Sequence, residues 1–263
     1  MSEAQLSAHV LTAEVVSALM ITTWLISLVR TDVGIIDICW GIGFASIAWT
    51  LFLNDGERHP EQLLLPVLTS VWAARLSIHL AVRNLGKPED FRYRAMRKRW
   101  GRSFSLASLV IVFGLQGTVM WVVSLPIQTS LSVTASTSTP FTVVGIVLWT
   151  VGMIFETVGD WQLVQFKRKF DNSKRVLDTG LWRYTRHPNY FGDCLIWWGL
   201  FVVSVSRCGA WWTVISPLTM TVLLLRVSGV SLLERTLRTS KPEYADYMAR
   251  TNAFLPGIPR RNS

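Results

Sequence analysis

Long apolar runs, separated by short connections of sharply unequal charge, constrain this chain more than any motif does. The runs lie at about residues 10–29, 35–53, 63–82, 105–127, 141–159, 192–206 and 210–232. A membrane-crossing helix needs about 20 apolar residues to span a hydrocarbon core of roughly 30 Å, and inside that core the segment must satisfy its own backbone polar groups. Half of the 263 residues are apolar and only 16% are charged, an unusual balance for a soluble domain. The expected fold is all-α: one polytopic membrane domain over 1–263, about seven transmembrane helices, with cytoplasmic cofactor-binding loops. The run at 192–206 is short for a span. Many of the Trp residues fall near run ends (Trp24, Trp40, Trp100, Trp161, Trp182, Trp211, Trp212), as in interfacial aromatic belts.

Lys and Arg in the connections set an orientation. The segment 83–102 holds Arg83, Lys87, Arg92, Arg94, Arg97, Lys98, Arg99 and Arg102, whereas 127–140 holds no charge. The segment 160–189 is basic again, and the link near Arg207 is nearly neutral. By the positive-inside rule the amino terminus is expected outside, with both basic loops and the carboxyl tail in the cytoplasm. Residues 1–9 show neither a basic leader nor a cleavage site, so the first run is expected to stay as an anchor. The net charge of +9 belongs to loops facing anionic lipid rather than to nucleic-acid binding. Cys39, Cys194 and Cys208, and the four scattered His residues, have no metal-ligand spacing and no expected disulfide. Residues 128–139 read as a polar external connection, and 241–250 as a short amphipathic helix presenting Tyr244 and Tyr247.

The densest chemistry sits in G-L-W-R-Y-T-R-H-P-N-Y-F-G-D, residues 180–193. Arg183, Tyr184, Arg186, His187, Asn189, Tyr190 and Asp193 crowd the start of an apolar segment, where polar groups are costly and usually functional. Two guanidinium groups near a helix start suit a phosphate or carboxylate. Asn and Asp read an amide or a hydroxyl. The expectation is a nucleotide-type cofactor site at a membrane surface. Lys167 and Arg168 add cations, and Glu156 and Asp160, four residues apart, share a helix face that should turn into the bundle. Glu156 alternatively makes a structural pair with an Arg, and Asp160 is expected to open directly into the basic loop. No G-x-G-x-x-G follows a strand and no G-x-x-x-x-G-K-[ST] occurs, so helices and loops must hold any nucleotide.

Other ionisable groups stand in or beside apolar runs. Asp37 lies inside the second, where it is a candidate catalytic acid or else a structural partner of Arg75. Tyr93 follows in K-P-E-D-F-R-Y as an acid or an interfacial anchor, and His79 reads as a core histidine. Glu234 and Arg235 end the seventh run. Glu234 is placed to accept from a ribose or an adenine, or to neutralise Arg183 or Arg186.

The run just described, preceded by E-x-x-x-D-x-Q and followed by L-L-E and P-E-Y-x-x-Y, resembles the bacterial branch of the steroid 5-alpha-reductase family over nearly the whole chain. The resemblance implies a seven-helix fold in a bacterial inner membrane, holding NADPH in a cytoplasm-facing cavity. It implies reduction of a carbon-carbon double bond conjugated to a ketone in a steroid, sterol or isoprenoid substrate, 3-oxo-4-ene-like. By it, Asp160, Arg168, Arg183, Asn189, Asp193 and Glu234 are expected to touch the cofactor, Asn189 and Asp193 nearest the nicotinamide, with Tyr190 and Tyr247 close by. The family's Gln-Glu pair in the second helix and its Tyr in the third have no counterparts here. That leaves Asp37 first and Tyr93 second as donors to the substrate ketone.

R-H-P-x-Y-x-G with a tail E-Y-x-x-Y is also similar to isoprenylcysteine carboxyl methyltransferases and phospholipid methyltransferases, which bind S-adenosylmethionine. The longer T-R-H-P-N-Y-F-G-D, with D-x-Q-L-x-x-F-K upstream, favours the reductase. A non-enzymatic lipid-binding protein or channel would account for the spans but not for the polar cluster.

Overall fold

The computed structural model describes residues 2–54, 59–133, 138–169, 175–227 and 230–260, and shows helices and no strand among them. Among the described residues six helical segments are long and apolar enough to cross a membrane: Glu3–Arg30, Ile35–Asn54, Pro60–Asn84, Phe91–Val123, Thr139–Lys169 and Pro188–Cys208. The chain is an all-α polytopic membrane protein. It divides into two compact units, 1–138 with 204–213, and 139–203 with 214–263.

In the first unit, α1 (Glu3–Arg30), α2 (Ile35–Asn54) and α3 (Leu64–Asn84) pack side by side. Ser2 and Gln5 close a reciprocal capping box on α1, which satisfies two orphan backbone donors and starts the helix seven residues before the apolar run. Close approach of α2 and α3 depends on Gly41, where a Cβ would lie 2.5 Å from the Ala73 carbonyl. Ser77 Oγ donates to the Ile38 carbonyl beside it at 2.8 Å. Phe44, Trp72, Phe113 and Met120 are completely buried at the centre.

The basic segment expected as a loop contains a helix, α4 (Phe91–Trp100), capped by the Asp90 carboxylate on the Arg92 amide at 2.9 Å. The following span is α5 (Phe104–Ser108), a π turn at Leu109–Gly114 and α6 (Leu115–Val123). The polar external connection expected from residue 128 instead starts inside α7 (Leu125–Leu131), all of whose residues are buried. Burial is possible because the Gln128 amide is saturated. Its Oε1 accepts from His9 Nδ1 at 2.7 Å and Thr12 Oγ1 at 2.9 Å, and its Nε2 donates to the Trp121 carbonyl at 2.8 Å and Ser124 Oγ at 2.7 Å.

In the second unit, α8 (Thr139–Lys169) runs against α9 (Pro188–Cys208). Gly145, Gly152 and Gly159 recur at seven-residue spacing on α8, and small residues let helix backbones meet in a bilayer. A Cβ on Gly152 would lie 2.6 Å from the Gly192 carbonyl, and one on Gly145 2.9 Å from that of Gly199. α8 continues ten residues beyond the expected end at 159, because 160–169 contains neither Gly nor Pro and places Lys167, Arg168 and Lys169 against the helix dipole. Asp160 is therefore within the helix, not at its exit. α9 is a full-length span, longer than its apolar run, with Pro188 pre-set for the first helical position. The expected seventh span, 210–232, includes residues 228–229, which lie outside the described residues. The described part before them, Trp211–Val227, holds a 3-10 turn, α10 (Ile215–Val222) and a π turn at Leu223–Val227. The tail supplies α11 (Val230–Ser240) and α12 (Tyr244–Arg250).

Candidate functional site

In the second unit the glycine contact of α8 with α9 brings Asp160 to the first turn of α9. Asn189 Nδ2 donates to Asp160 Oδ1 at 2.9 Å, and Asn189 Oδ1 accepts from the Tyr190 amide at 3.1 Å. Glu156 and Asp193 are buried on the two helices, at 4% and 9% exposure, so the inward face expected for Glu156 and Asp160 is the one observed. The loop before α9 is seated on α8 by Gly180, at φ 62 in contact with the Gln162 amide. The Leu181 amide donates to Gln162 Oε1 at 3.0 Å, and Trp182 Nε1 to the Gly159 carbonyl at 3.1 Å. Trp182, expected in an interfacial belt, is thus a buried strut.

The tail closes over the same loop. Arg186 Nε donates to Glu234 Oε1 at 2.8 Å, and its Nη1 donates to the carbonyls of Thr251 at 2.5 Å and Met248 at 3.0 Å. The Arg186 amide donates to the Asn252 carbonyl at 2.9 Å. Tyr247 Oη donates to the Trp182 carbonyl, and Thr185 Oγ1 to that of Phe254 at 2.8 Å. His187 donates from Nε2 to Glu234 Oε1 at 3.2 Å and stacks on Tyr190, ring centroids 5.5 Å apart. Its Nδ1 is buried with no hydrogen-bond partner among the described residues. Burial would raise the Glu234 carboxyl, but the hydrogen bonds from His187 and Arg186 outweigh it and hold the group below its ordinary range. Burial, and behind it the Glu234 charge, pushes the Tyr244 phenol up to about 12, and burial likewise raises Tyr247. Both phenols stay protonated at physiological pH.

The expected cofactor residues therefore separate by position. Arg186, His187 and Tyr247 face inward and hold the loop and tail together, with Tyr244 buried against Tyr247. Lys167, Arg168, Arg183, Tyr184 and Arg235 are exposed. Asn189 and Tyr190 are half-buried between these two sets, with Asp160 beneath Asn189. Of the cations, the exposed ones offer charge outward, while the Arg186 donors named above are committed within the protein.

The first unit holds a separate polar cluster. Tyr93 Oη donates to Asp37 Oδ1 at 3.4 Å and accepts from Gln116 Nε2 at 3.2 Å, and Gln116 Oε1 in turn accepts from Trp40 Nε1. The guanidinium nearest Asp37 is that of Arg92, at 4.0 Å, in place of the Arg75 expected. A cavity of about 120 Å³ opens beside Asp37, lined also by Asn84, Lys87 and Asp90. Arg97 grips Glu89 through two bonds of 2.8 and 3.1 Å, and Glu89 Oε1 accepts from the Val33 amide at 3.0 Å. Burial would raise Glu89, but the Arg97 hydrogen bond and the Val33 amide lower it overall. Gln116 is a member of the cluster that the sequence does not single out, and Trp40, expected in an interfacial belt, is bonded to it. An amide two residues beyond a π turn in an apolar run is the available signal, since π turns recur at functional sites. Among the described residues no three His, Cys, Asp or Glu side chains group to hold a metal.

Residues 23–251 match the model of a family described as "Protein of unknown function (DUF1295)", and the chain belongs to that family. No curated protein and no solved structure matches it.

Proposed function

We propose that this DUF1295 member is an NADPH-dependent membrane reductase. It would act on the carbon-carbon double bond of a hydrophobic enone, a steroid, sterol or isoprenoid, with its basic loops and tail in the cytoplasm. The observation that carries the reading is the Asp160–Asn189 bond of 2.9 Å, set where α8 and α9 touch, with the exposed Arg168 further along α8 and the exposed Arg183 in the loop before α9. The similarity of 180–193 to the steroid 5-alpha-reductase family agrees with it.

The residues fit the cofactor by their chemistry. Arg168 and Arg183 offer planar two-point contacts to phosphate and Lys167 a point charge. Asn189, steadied by Asp160, presents an amide to an amide, and the buried His187 Nδ1 is a polar atom with bonding capacity left over. Glu234 with Arg186 fixes the loop that carries these groups. When bound, NADPH supplies a hydride to the carbon beta to the ketone.

The chain's own contribution at the ketone is a hydrogen-bond donor. Asp37 first and Tyr93 second are the candidates for it by residue type; a phenol has a proton to give, and within the first unit the Tyr93 hydroxyl donates to Asp37 and accepts from Gln116. A donor aimed at developing oxyanion charge is typically worth about 3 kcal/mol.

The test is NADPH oxidation by detergent-purified protein with a 3-keto-4-ene steroid, with mass spectrometry for a product two hydrogens heavier. The expected result is turnover in the wild type and none in Asn189→Ala. Binding of S-adenosylmethionine in place of NADPH would overturn the reading in favour of a methyltransferase.

A further inference from the structure

α4 has two faces. On the inner face Tyr93, 7% exposed, meets Asp37, and Arg97 holds Glu89, which holds the Val33 amide. On the outer side Arg94, Lys98 and Arg99 are exposed, and Arg102 follows just after the helix. Among the described residues no carboxylate oxygen lies within 4.0 Å of any of these four. Phe91 and Trp100, 62% and 45% exposed, bracket the cations. The span that begins immediately afterwards turns Leu106, Val110 and Leu115 outward, each between 61% and 70% exposed.

A stripe of large apolar side chains on a membrane span faces acyl chains, so the residues just before it stand at headgroup level. Four exposed cations with no carboxylate at ion-pair distance among the described residues, Arg94 alone feeling Glu89 at longer range, and flanked by two aromatics at that level, match a surface of negative charge. Lys and Arg at a bilayer surface are attracted to anionic headgroups within about a Debye length. We propose that α4 is a docking helix for anionic phospholipid headgroups, seating Arg94, Lys98, Arg99 and Arg102 on the charged bilayer face. Because the helix carries Tyr93 and Arg97 on its other side, headgroup docking also steadies the Tyr93–Asp37 contact and the Glu89–Val33 bond. The docking itself does not rest on the reductase reading; its coupling to the inner face reaches Tyr93, a candidate donor in that reading.

The experiment compares the full-length protein in nanodiscs of phosphatidylcholine alone and of phosphatidylcholine with about 30% phosphatidylglycerol, read by amide hydrogen exchange. Exchange over 91–103 should slow about fivefold or more in the anionic discs, with 27–36 slowing in parallel through Val33. The difference should vanish in about 0.5 M salt, where the Debye length falls to roughly 4 Å, and in the variant R94Q/K98Q/R99Q/R102Q. Equal exchange in the two discs would overturn the proposal, as would full protection in the variant. The same protection from inorganic phosphate added to neutral discs would overturn it too, by showing a small-anion site. Slowing of 91–103 without 27–36 would overturn the coupling to the inner face. The two-lipid comparison needs only the wild type, so it decides the matter even where the variant misfolds.

Discussion

Arg186 and Glu234, 48 residues apart in sequence, form a buried ion pair with Nε 2.8 Å from Oε1, and the same guanidinium holds the carbonyls of Met248 and Thr251. The side chains are 8% and 14% exposed. Removing one partner of such a pair leaves an uncompensated charge, a loss of about 3–5 kcal/mol. Arg186→Ala is therefore expected to lower thermal stability in detergent markedly and to expose residues 244–260 to protease. Arg186→Lys should recover little, because an ammonium lacks the planar fork that reaches both carboxylate and carbonyls.

The same pair gives a pH dependence of defined sign. Glu234 has a folded-state pKa below its ordinary value of 4.5, because the His187 and Arg186 hydrogen bonds overcome burial. Its contribution is complete above that ordinary value and is lost as pH falls through the depressed folded value. Hydrogen exchange at Arg186 and Thr251, corrected for intrinsic rates, should stay slow from neutral pH down to about 4.5 and accelerate below it. In Glu234→Gln it should be fast throughout that range.

What can be read from the sequence follows from the range of the physics involved. Spans depend on local apolar length, so six are legible to within a few residues at most ends. A π turn lies inside the fourth span and another near the end of the seventh run, and composition shows neither. α7 is hidden, since the groups that make Gln128 buriable, His9 and Thr12, stand 119 and 116 residues away. The polar run 180–193 announces itself by residue type, but not the division of labour within it. Arg186 is bound partly to backbone carbonyls, and every residue has one.

The α8–α9 contact yields a stability test with a built-in comparison. A Cβ on Gly192 would meet backbone atoms on α8, among them the Gly152 carbonyl at 2.5 Å, whereas one on Gly114 would stand 3.3 Å from the Leu109 carbonyl. Overpacking against backbone costs about 1–3 kcal/mol. Gly192→Ala is expected to lose that much or fail to accumulate, and Gly114→Ala to stay near wild type. Thermal unfolding of both in one detergent measures the difference.

Gln128 is a second structural node. The Trp121 carbonyl can only accept, which places Nε2 toward it and Oε1 toward His9, so His9 must carry its proton on Nδ1. Gln128→Leu would strip the acceptor from His9, at about 1–3 kcal/mol for an orphaned buried group, while Thr12 Oγ1 keeps the His9 carbonyl at 3.0 Å. A strongly destabilised protein is expected, together with loss of the Nδ1–H tautomer preference by nitrogen NMR of labelled histidine. Unchanged tautomer and stability would show that the amide does not hold this end of the first unit.

Tyr93 separates the proposed chemistry from structure. Its hydroxyl gives one bond to Asp37 at 3.4 Å and takes one from Gln116 at 3.2 Å, while its ring is buried. Tyr93→Phe keeps the ring, so folding should change by only about 1 kcal/mol, the net worth of a typical hydrogen bond. If the hydroxyl donates to the ketone, turnover should fall about a hundredfold with NADPH binding unchanged, as for loss of one oxyanion donor. Gln116→Leu leaves the hydroxyl in place but removes the group that orients it, so it should give a smaller loss in kcat. Equal turnover in wild type and Tyr93→Phe would remove Tyr93 from the reaction and leave Asp37 as the donor to examine. Asp37→Asn, which keeps a side-chain N–H donor but loses the acid, would then be the decisive comparison.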